Sequence, residues 1–312
     1  MNKIYRYSIV LLFIFLMVFA SVLTGEREII FPELAAVSTG LLIIDKRVWA
    51  VNNTSAFMLL TLMSVFGSLI SLYSPLPLYA NMTIGVLVTL LSLRIARSNF
   101  YPILSAIVLP ILMHEGGLLY IGVTVCGGAL ILLARRFEFA TNLRKKDSPL
   151  VLTDYNRNLF VAFGPRTIVI GLIIFLFHEL ELFYAMLPPL IVAFVELSFN
   201  KSGMRRGAAV VLLLLLVAIV LGSVAVYVSY SLQIIPIYIS ICIAEICLFG
   251  IFELVGRKFA PASASVLVPA LIGPANPFAF ATSAAVGATV FVLSALILAT
   301  CEQRLNVKAR YN

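Results

Sequence analysis

Two stretches of this chain combine helix-breaking prolines with small hydroxyl side chains. In the first, Tyr101-Pro102 opens an apolar run that passes Ser105 and Pro110 and meets His114-Glu115-Gly116-Gly117. In the second, Ala260-Pro261 leads through Ser263, Ala264, Ser265 and Pro269 to Gly273-Pro274-Ala275-Asn276-Pro277. A helix of about 12 residues rises only about 18 Å, well short of a ~30 Å hydrocarbon core. Breaks of this kind are tolerated where protein or a water-filled cavity satisfies the freed backbone groups, and in transporters they place helix ends at the substrate. On that reading Pro102, Pro110, Pro261, Pro269 and Pro274 shape the breaks. Ser105, Ser263, Ser265 and Asn276 then line a site whose hydroxyls and helix amides suit a small anion or polar solute. A second reading stays open: small residues also serve close helix packing, and a helical hairpin with a tight outer turn needs no ligand.

Ionisable residues at membrane depth are costly and mark either pathways or paired structural charges. Glu245 is the deepest acid, near the middle of its apolar segment. It is expected to be neutral, hydrogen-bonded to a buried partner, or proton-coupling. Glu253 stands four residues before Arg257, a spacing for an ion pair, and Glu196 lies near Lys201 and Arg205. Glu33 follows Pro32 at an expected helix start, where a carboxylate favours the positive end of the dipole. The pairs His114-Glu115 and His178-Glu179 fall among Glu26, Glu28 and Glu181, but neither belongs to a His-Glu-x-x-His zinc helix. No metal and no cofactor is expected. His114 and Glu115, beside two glycines, are candidates for a titratable solute entrance. The four cysteines lack metal-ligand spacing and read as packing residues.

These residues need a scaffold, and composition names its solvent. With 62% hydrophobic and 12% charged residues, a chain of 312 residues cannot hide its apolar surface in a soluble fold. Stretches near 8–24, 55–73, 76–93, 167–184, 207–230 and 233–252 meet the requirement of about 20 apolar residues for a span. Further segments lie near 29–44, 102–113, 117–134, 185–199, 260–272 and 278–300, all shorter except the last. The expected fold is therefore an all-α membrane protein of about twelve apolar segments, with short or broken helices at 102–113 and 260–272.

The twelve segments divide into two sets of six. Phe100, Pro102, Pro110, Leu112 and Gly128 match Phe259, Pro261, Pro269, Leu271 and Gly287 at a constant offset of 159. The segments around them fall in the same order. An even number of spans per half makes the repeat parallel, related by a pseudo-two-fold axis along the membrane normal, an arrangement common in secondary transporters. The expected units are residues 1–136, a basic linker at 137–165, and residues 166–312. Residues 1–24 also resemble a secretory signal, but segment 167–183 holds the equivalent place, so the first helix is expected to be retained.

Basic residues alternate as this count requires. With the N-terminus inside, Lys3, Arg6, Lys46, Arg47, Arg94, Arg97, the run from Arg135 to Arg166, Lys201, Arg205, Arg206, Arg257, Lys258, Arg304, Lys308 and Arg310 all fall inside. Of 22 basic residues only Arg27 falls outside. The net charge of +8 follows from topology and needs no nucleic acid. Both termini are expected in the cytoplasm of a cell-membrane protein. Arg144, Lys145 and Lys146 form either a plain charged linker or a docking element for anionic headgroups or a partner.

The stretch from Arg257 to Gly273, RKFAPASASVLVPALIG, resembles the signature of HPP-family integral membrane proteins, in which a His-Pro-Pro element precedes a helix rich in Ala, Gly and Ser and a second proline. Leu187-Pro188-Pro189 followed by Arg205-Arg206-Gly207 looks like the earlier part of that domain. Here Ala260-Pro261-Ala262 and Tyr101-Pro102-Ile103 stand where the family has His-Pro-Pro. The resemblance implies a small-solute permease, with nitrite transport associated with plant members. The fusaric-acid and aromatic-acid exporter type has a similar order of spans.

No nucleophile elbow, phosphate-binding loop or convincing carboxylate pair is present, so no enzyme is expected. The sequence points to a transporter or channel for a small, anionic solute between the two halves. The alternative is a non-transporting scaffold or subunit of a larger membrane complex. The expected partners are the bilayer and the solute, with a homo-oligomer or a partner membrane protein left open.

Overall fold

The computed structural model describes residues 2–45, 47–142, 150–153, 155, 159–199 and 203–311. Among these residues every regular element is helical. In chain order they are α1 (Asn2–Thr24), α2 (Pro32–Ser38) prolonged by a π turn over Thr39–Ile43, α3 (Asn53–Tyr73), α4 (Leu78–Ile95), α5 (Ile103–Met113) and α6 (Leu118–Ala140). Then follow α7 (Leu159–Glu179), α8 (Pro188–Phe199), the single turn α9 (Gly203–Arg206), α10 (Ala208–Val226), α11 (Ile237–Val255), α12 (Ala260–Ile272) and α13 (Pro277–Tyr311).

Eight of these, α1, α3, α4, α6, α7, α10, α11 and α13, are long and apolar enough to cross a membrane. They leave Leu12, Leu16, Leu62, Phe66, Leu172 and Ile297 on the outer surface, an apolar exposure that only lipid accommodates. The chain is thus an all-α, multi-pass membrane protein. Residues 117–134, expected to be short, form most of the 23-residue α6. The short helices are α2, α5, α8 and α12. Gly164 and Pro165, at the end of the expected linker 137–165, sit inside α7. Pro165 lies past the first turn, so the helix runs on without one of its N–H bonds there. Arg144, Lys145, Lys146, Lys46 and Lys201 lie outside the described residues.

The four short helices form the centre. Every residue of α2 is buried, as are Ile103–Leu112 of α5, Pro188–Ser198 of α8 and Ala260–Leu271 of α12. Proline sets where they begin: Pro32 opens α2, Pro102 precedes α5, Pro188 and Pro189 open α8, and Pro261 lies in the first turn of α12. Proline fixes φ for a helical start and lacks only an N–H that has no partner there. Left-handed residues end two of them, His114 (φ 52°) after α5 and Gly273 (φ 59°) after α12.

Close backbone approach seats these helices against the long ones. A Cβ on Gly67 of α3 would lie 2.6 Å from the Ile107 carbonyl oxygen of α5. One on Gly222 of α10 would run into the Val266 carbonyl of α12. Packing also crosses the midpoint of the chain: α2 lies on α12, α5 on α8, α1 on α11, and α4 on α7.

Candidate functional site

Buried helix ends leave carbonyl groups that need donors, and arginines from distant segments supply them. Arg6 of α1 donates from Nε to the Leu42 carbonyl (2.6 Å) and from Nη2 to the Ile43 carbonyl (2.9 Å), closing the π turn that prolongs α2. It also bonds Asp45, with Glu138 of α6 3.8 Å from Nε. Arg166 of α7 donates to the Ser198 carbonyl of α8 (3.0 Å), bridges to Glu302 and stacks on Phe199 at 3.8 Å. Arg27 donates to the Ile272 carbonyl at the end of α12 (3.2 Å). That bond gives Arg27, the exception to the charge rule, a physical reason for its place: a cation at a helix C-terminus.

These contacts define the two ends of the molecule. Lys3, Arg6, Arg166 and Lys258 gather at a basic end. Glu26, Arg27, Glu28, Glu115 and the α12 C-terminus gather at an acidic one. Between them lie the buried acids.

Glu245, fully buried near the middle of α11, accepts a 2.9 Å bond from the Ser263 hydroxyl of α12 through Oε1. Its Oε2 has no partner. The two site residues Ser263 and Glu245 are therefore brought together. Ser265 turns back to the Pro261 carbonyl (3.0 Å), a local bond that leaves its hydroxyl proton committed to its own helix.

Glu33, in the first turn of α2, is 1% exposed and neither carboxyl oxygen makes a hydrogen bond of good geometry. Its polar neighbour is Ser105 of α5. The sequence pointed to the helix start but not to this isolation, which depends on how α2 meets α5, α6 and α12. Glu196, expected beside Arg205, is buried in α8 with Oε2 unpartnered. Glu253 is surrounded by Lys258 (2.8 Å), Lys3 (3.3 Å) and the Tyr7 hydroxyl (2.5 Å).

Pro110 explains another contact. Lacking an N–H, it cannot bond the Ala106 carbonyl one turn back, and the Tyr120 hydroxyl of α6 donates there instead (3.0 Å). The Pro110 carbonyl accepts from Ser71 of α3 (2.9 Å) and from the Glu115 amide (3.1 Å).

Beside Pro110 a small notch, open at its mouth, is lined by Glu28, Leu109, Pro110, Met113, Glu115, Tyr120 and Leu271. Glu115 thus lies at an opening, and burial together with the Glu28 charge raises its carboxyl above the usual range, against the opposing pull of Arg27. Burial and Glu26 raise Glu28 likewise. His114 is the exposed left-handed cap of α5 beside this mouth.

Asn276 stands apart from the centre. It is exposed, and its Oδ1 accepts from the Phe278 (3.0 Å) and Ala279 (3.1 Å) amides, the work of a helix N-cap. An Asn directly before Pro277 carried that signal in the sequence. Pro274 belongs to the same turn. His178 lies on the Tyr79 ring, with centroids 5.4 Å apart, away from His114. Among the described residues no group of three or more His, Cys, Asp or Glu could hold a metal ion.

The architecture is that of a multi-pass membrane protein with short helices enclosed by spanning ones. No family model, curated protein or solved structure matches the chain.

Proposed function

We propose that this protein is a secondary transporter moving a small anion, together with protons, through the centre formed by α2, α5, α8 and α12. One observation carries the reading: two enclosed short helices start at prolines beside carboxylates that lack full sets of partners, α2 at Pro32 with Glu33 and α12 at Pro261, where Ser263 holds Glu245. A purely structural core gains little from such groups, because an uncompensated ionisable side chain in lipid is expensive to keep. Transporters use this combination, with helix starts offering amides to an anion and acids carrying the coupling proton. Glu245 and Ser263 form the coupling pair, and the starts of α5 and α12 face the solute. The closely packed centre corresponds to an occluded state between openings to either end.

An internal duplication belongs to this proposal. The order long, short, long, long, short, long occurs in α1 to α6 and again in α7, α8, α10, α11, α12 and α13. Arg6 and Arg166 serve the second helix of each set, and Gly67 and Gly222 meet Ile107 and Val266, which differ by the sequence offset of 159. The basic end faces the cytoplasm by the rule for Lys and Arg. Kinship with HPP-type permeases rests on residues 257–273 and is part of the same proposal.

Purified protein in liposomes, loaded in turn with inorganic anions and aromatic acids, tests it. Uptake above protein-free vesicles, stimulated by a pH gradient, is expected for at least one solute. Folded protein that moves none of them returns the reading to a scaffold.

A further inference from the structure

The corner between α4 and α5 lies at the basic end, where connections ordinarily meet water, yet it is enclosed: Ser98 is 1% exposed and Phe100 is fully buried. Arg97 turns the chain there with φ 48°. The carbonyls of Arg97 and Ser98 stand between the two helices and need donors from elsewhere. The connection between α6 and α7 supplies both. The Thr153 amide donates to the Arg97 carbonyl (2.8 Å), and the Tyr155 hydroxyl donates to the Ser98 carbonyl (2.7 Å).

The ring of Tyr155 belongs to the other half of the chain. Its centroid is 5.2 Å from that of Phe163 in α7 and 5.5 Å from that of Phe199 at the end of α8. Phe199 is the ring that Arg166 overlies and on which Tyr101, just before α5, is stacked at 6.2 Å. One side chain thus spans the seam between α5 and α8, with its hydroxyl on the first set of helices and its ring on the second. Inward of this seam lie Ser105, one turn beyond Tyr101, and Glu196, one turn before Phe199 with its Oε2 unpartnered.

We infer that Thr153 and Tyr155 form a latch that holds the seam between α5 and α8 shut at the basic end, and that its release opens the centre to that side. The contacts suit repeated opening. Two neutral hydrogen bonds and two ring contacts can break without unpacking a helix, and water then serves the freed carbonyls. The Arg166 bonds to Ser198 and Glu302 lie wholly within the second set of helices, so they persist while the latch opens. The purpose of the latch rests on the transport reading, since a scaffold has nothing to open, but its test needs no solute.

The test is labelling of full-length protein in inside-out and right-side-out vesicles by a membrane-impermeant thiol reagent. The four native cysteines are replaced by serine, and one reporter is introduced, Ser105→Cys in α5 or Ser223→Cys in α10, both at buried positions. Tyr155→Ala is expected to speed labelling of the Ser105→Cys reporter severalfold from the side that the basic end faces. Tyr155→Phe keeps the ring contacts and loses the bond to Ser98, so its gain should be smaller. The Ser223→Cys reporter, near the other end of its helix, should stay protected in both. A rate at Ser105→Cys unchanged by Tyr155→Ala overturns the inference, as does an equal gain at Ser223→Cys, which would mean general loosening. Where Tyr155→Ala fails to fold, Tyr155→Phe decides by the same comparison. Absent flux with the labelling pattern as expected would instead count against the transport reading alone.

Discussion

Arg166 of α7 and Glu302 of α13 face each other through two parallel 2.7 Å bonds, Nη1 to Oε1 and Nη2 to Oε2. The same guanidinium reaches the Ser198 carbonyl at the end of α8, so one side chain ties a spanning helix, a central helix and the final helix together. Arg166→Met would leave a partly buried carboxylate and an unmet carbonyl, costing about 2–4 kcal/mol. Glu302→Gln keeps the carbonyl bonds and should cost about 1–2 kcal/mol. Thermal unfolding in nanodiscs would rank the two, and equal losses would show that the carbonyl contact contributes nothing.

The helix contacts at glycine give a second prediction. Gly67→Ala and Gly222→Ala would each drive a Cβ into a carbonyl of a buried helix, and such overpacking costs about 1–3 kcal/mol. Gly250 of α11 has open space where its Cβ would be. Gly250→Ala should therefore be neutral or slightly stabilising. Melting temperatures of the three variants check the contrast directly.

Much of this fold was legible in the sequence, because spans depend on local apolarity and helix starts on proline. The twelve segments and the short runs at 102–113 and 260–272 all correspond to helices. What escaped was set by contacts distant in the chain. Nothing near Arg6 announces its bonds to Leu42 and Ile43, and nothing near Arg166 announces Glu302. Glu33 looked like an ordinary helix-start acid because its enclosure is made by α5, α6 and α12. Asn276 carried two signals at once: neighbouring prolines that suggested a ligand site, and a capping position, which the structure shows it filling at the start of α13.

Tyr120 and Pro110 should be energetically coupled. Tyr120→Phe strands the Ala106 carbonyl and should cost about 1–3 kcal/mol. Pro110→Ala supplies an N–H to that same carbonyl, so in its presence the loss from Tyr120→Phe should shrink by more than half. A double-mutant cycle on unfolding free energy measures this. Additive losses would mean the hydroxyl does not replace the missing backbone donor.

Glu28 and Glu115 have carboxyls raised by burial and by neighbouring acids. Groups raised on folding bind protons more tightly in the folded state, so their contribution to stability is present at low pH and is lost as pH rises through the raised value. The melting temperature of wild type should include a gain on going from about pH 8 to about pH 5 that is reduced in Glu115→Gln. Parallel melting curves for the two proteins over that range would contradict it.

Proton-coupled movement of a solute through the central helices is tested most directly by pH-driven uptake into proteoliposomes for wild type, Glu245→Gln and Glu253→Gln. Glu253 belongs to a surface cluster with Lys3, Tyr7 and Lys258, so its variant should respond to the gradient as wild type does. Glu245→Gln should lose that response while remaining folded. Undiminished pH-driven uptake in Glu245→Gln would contradict the account.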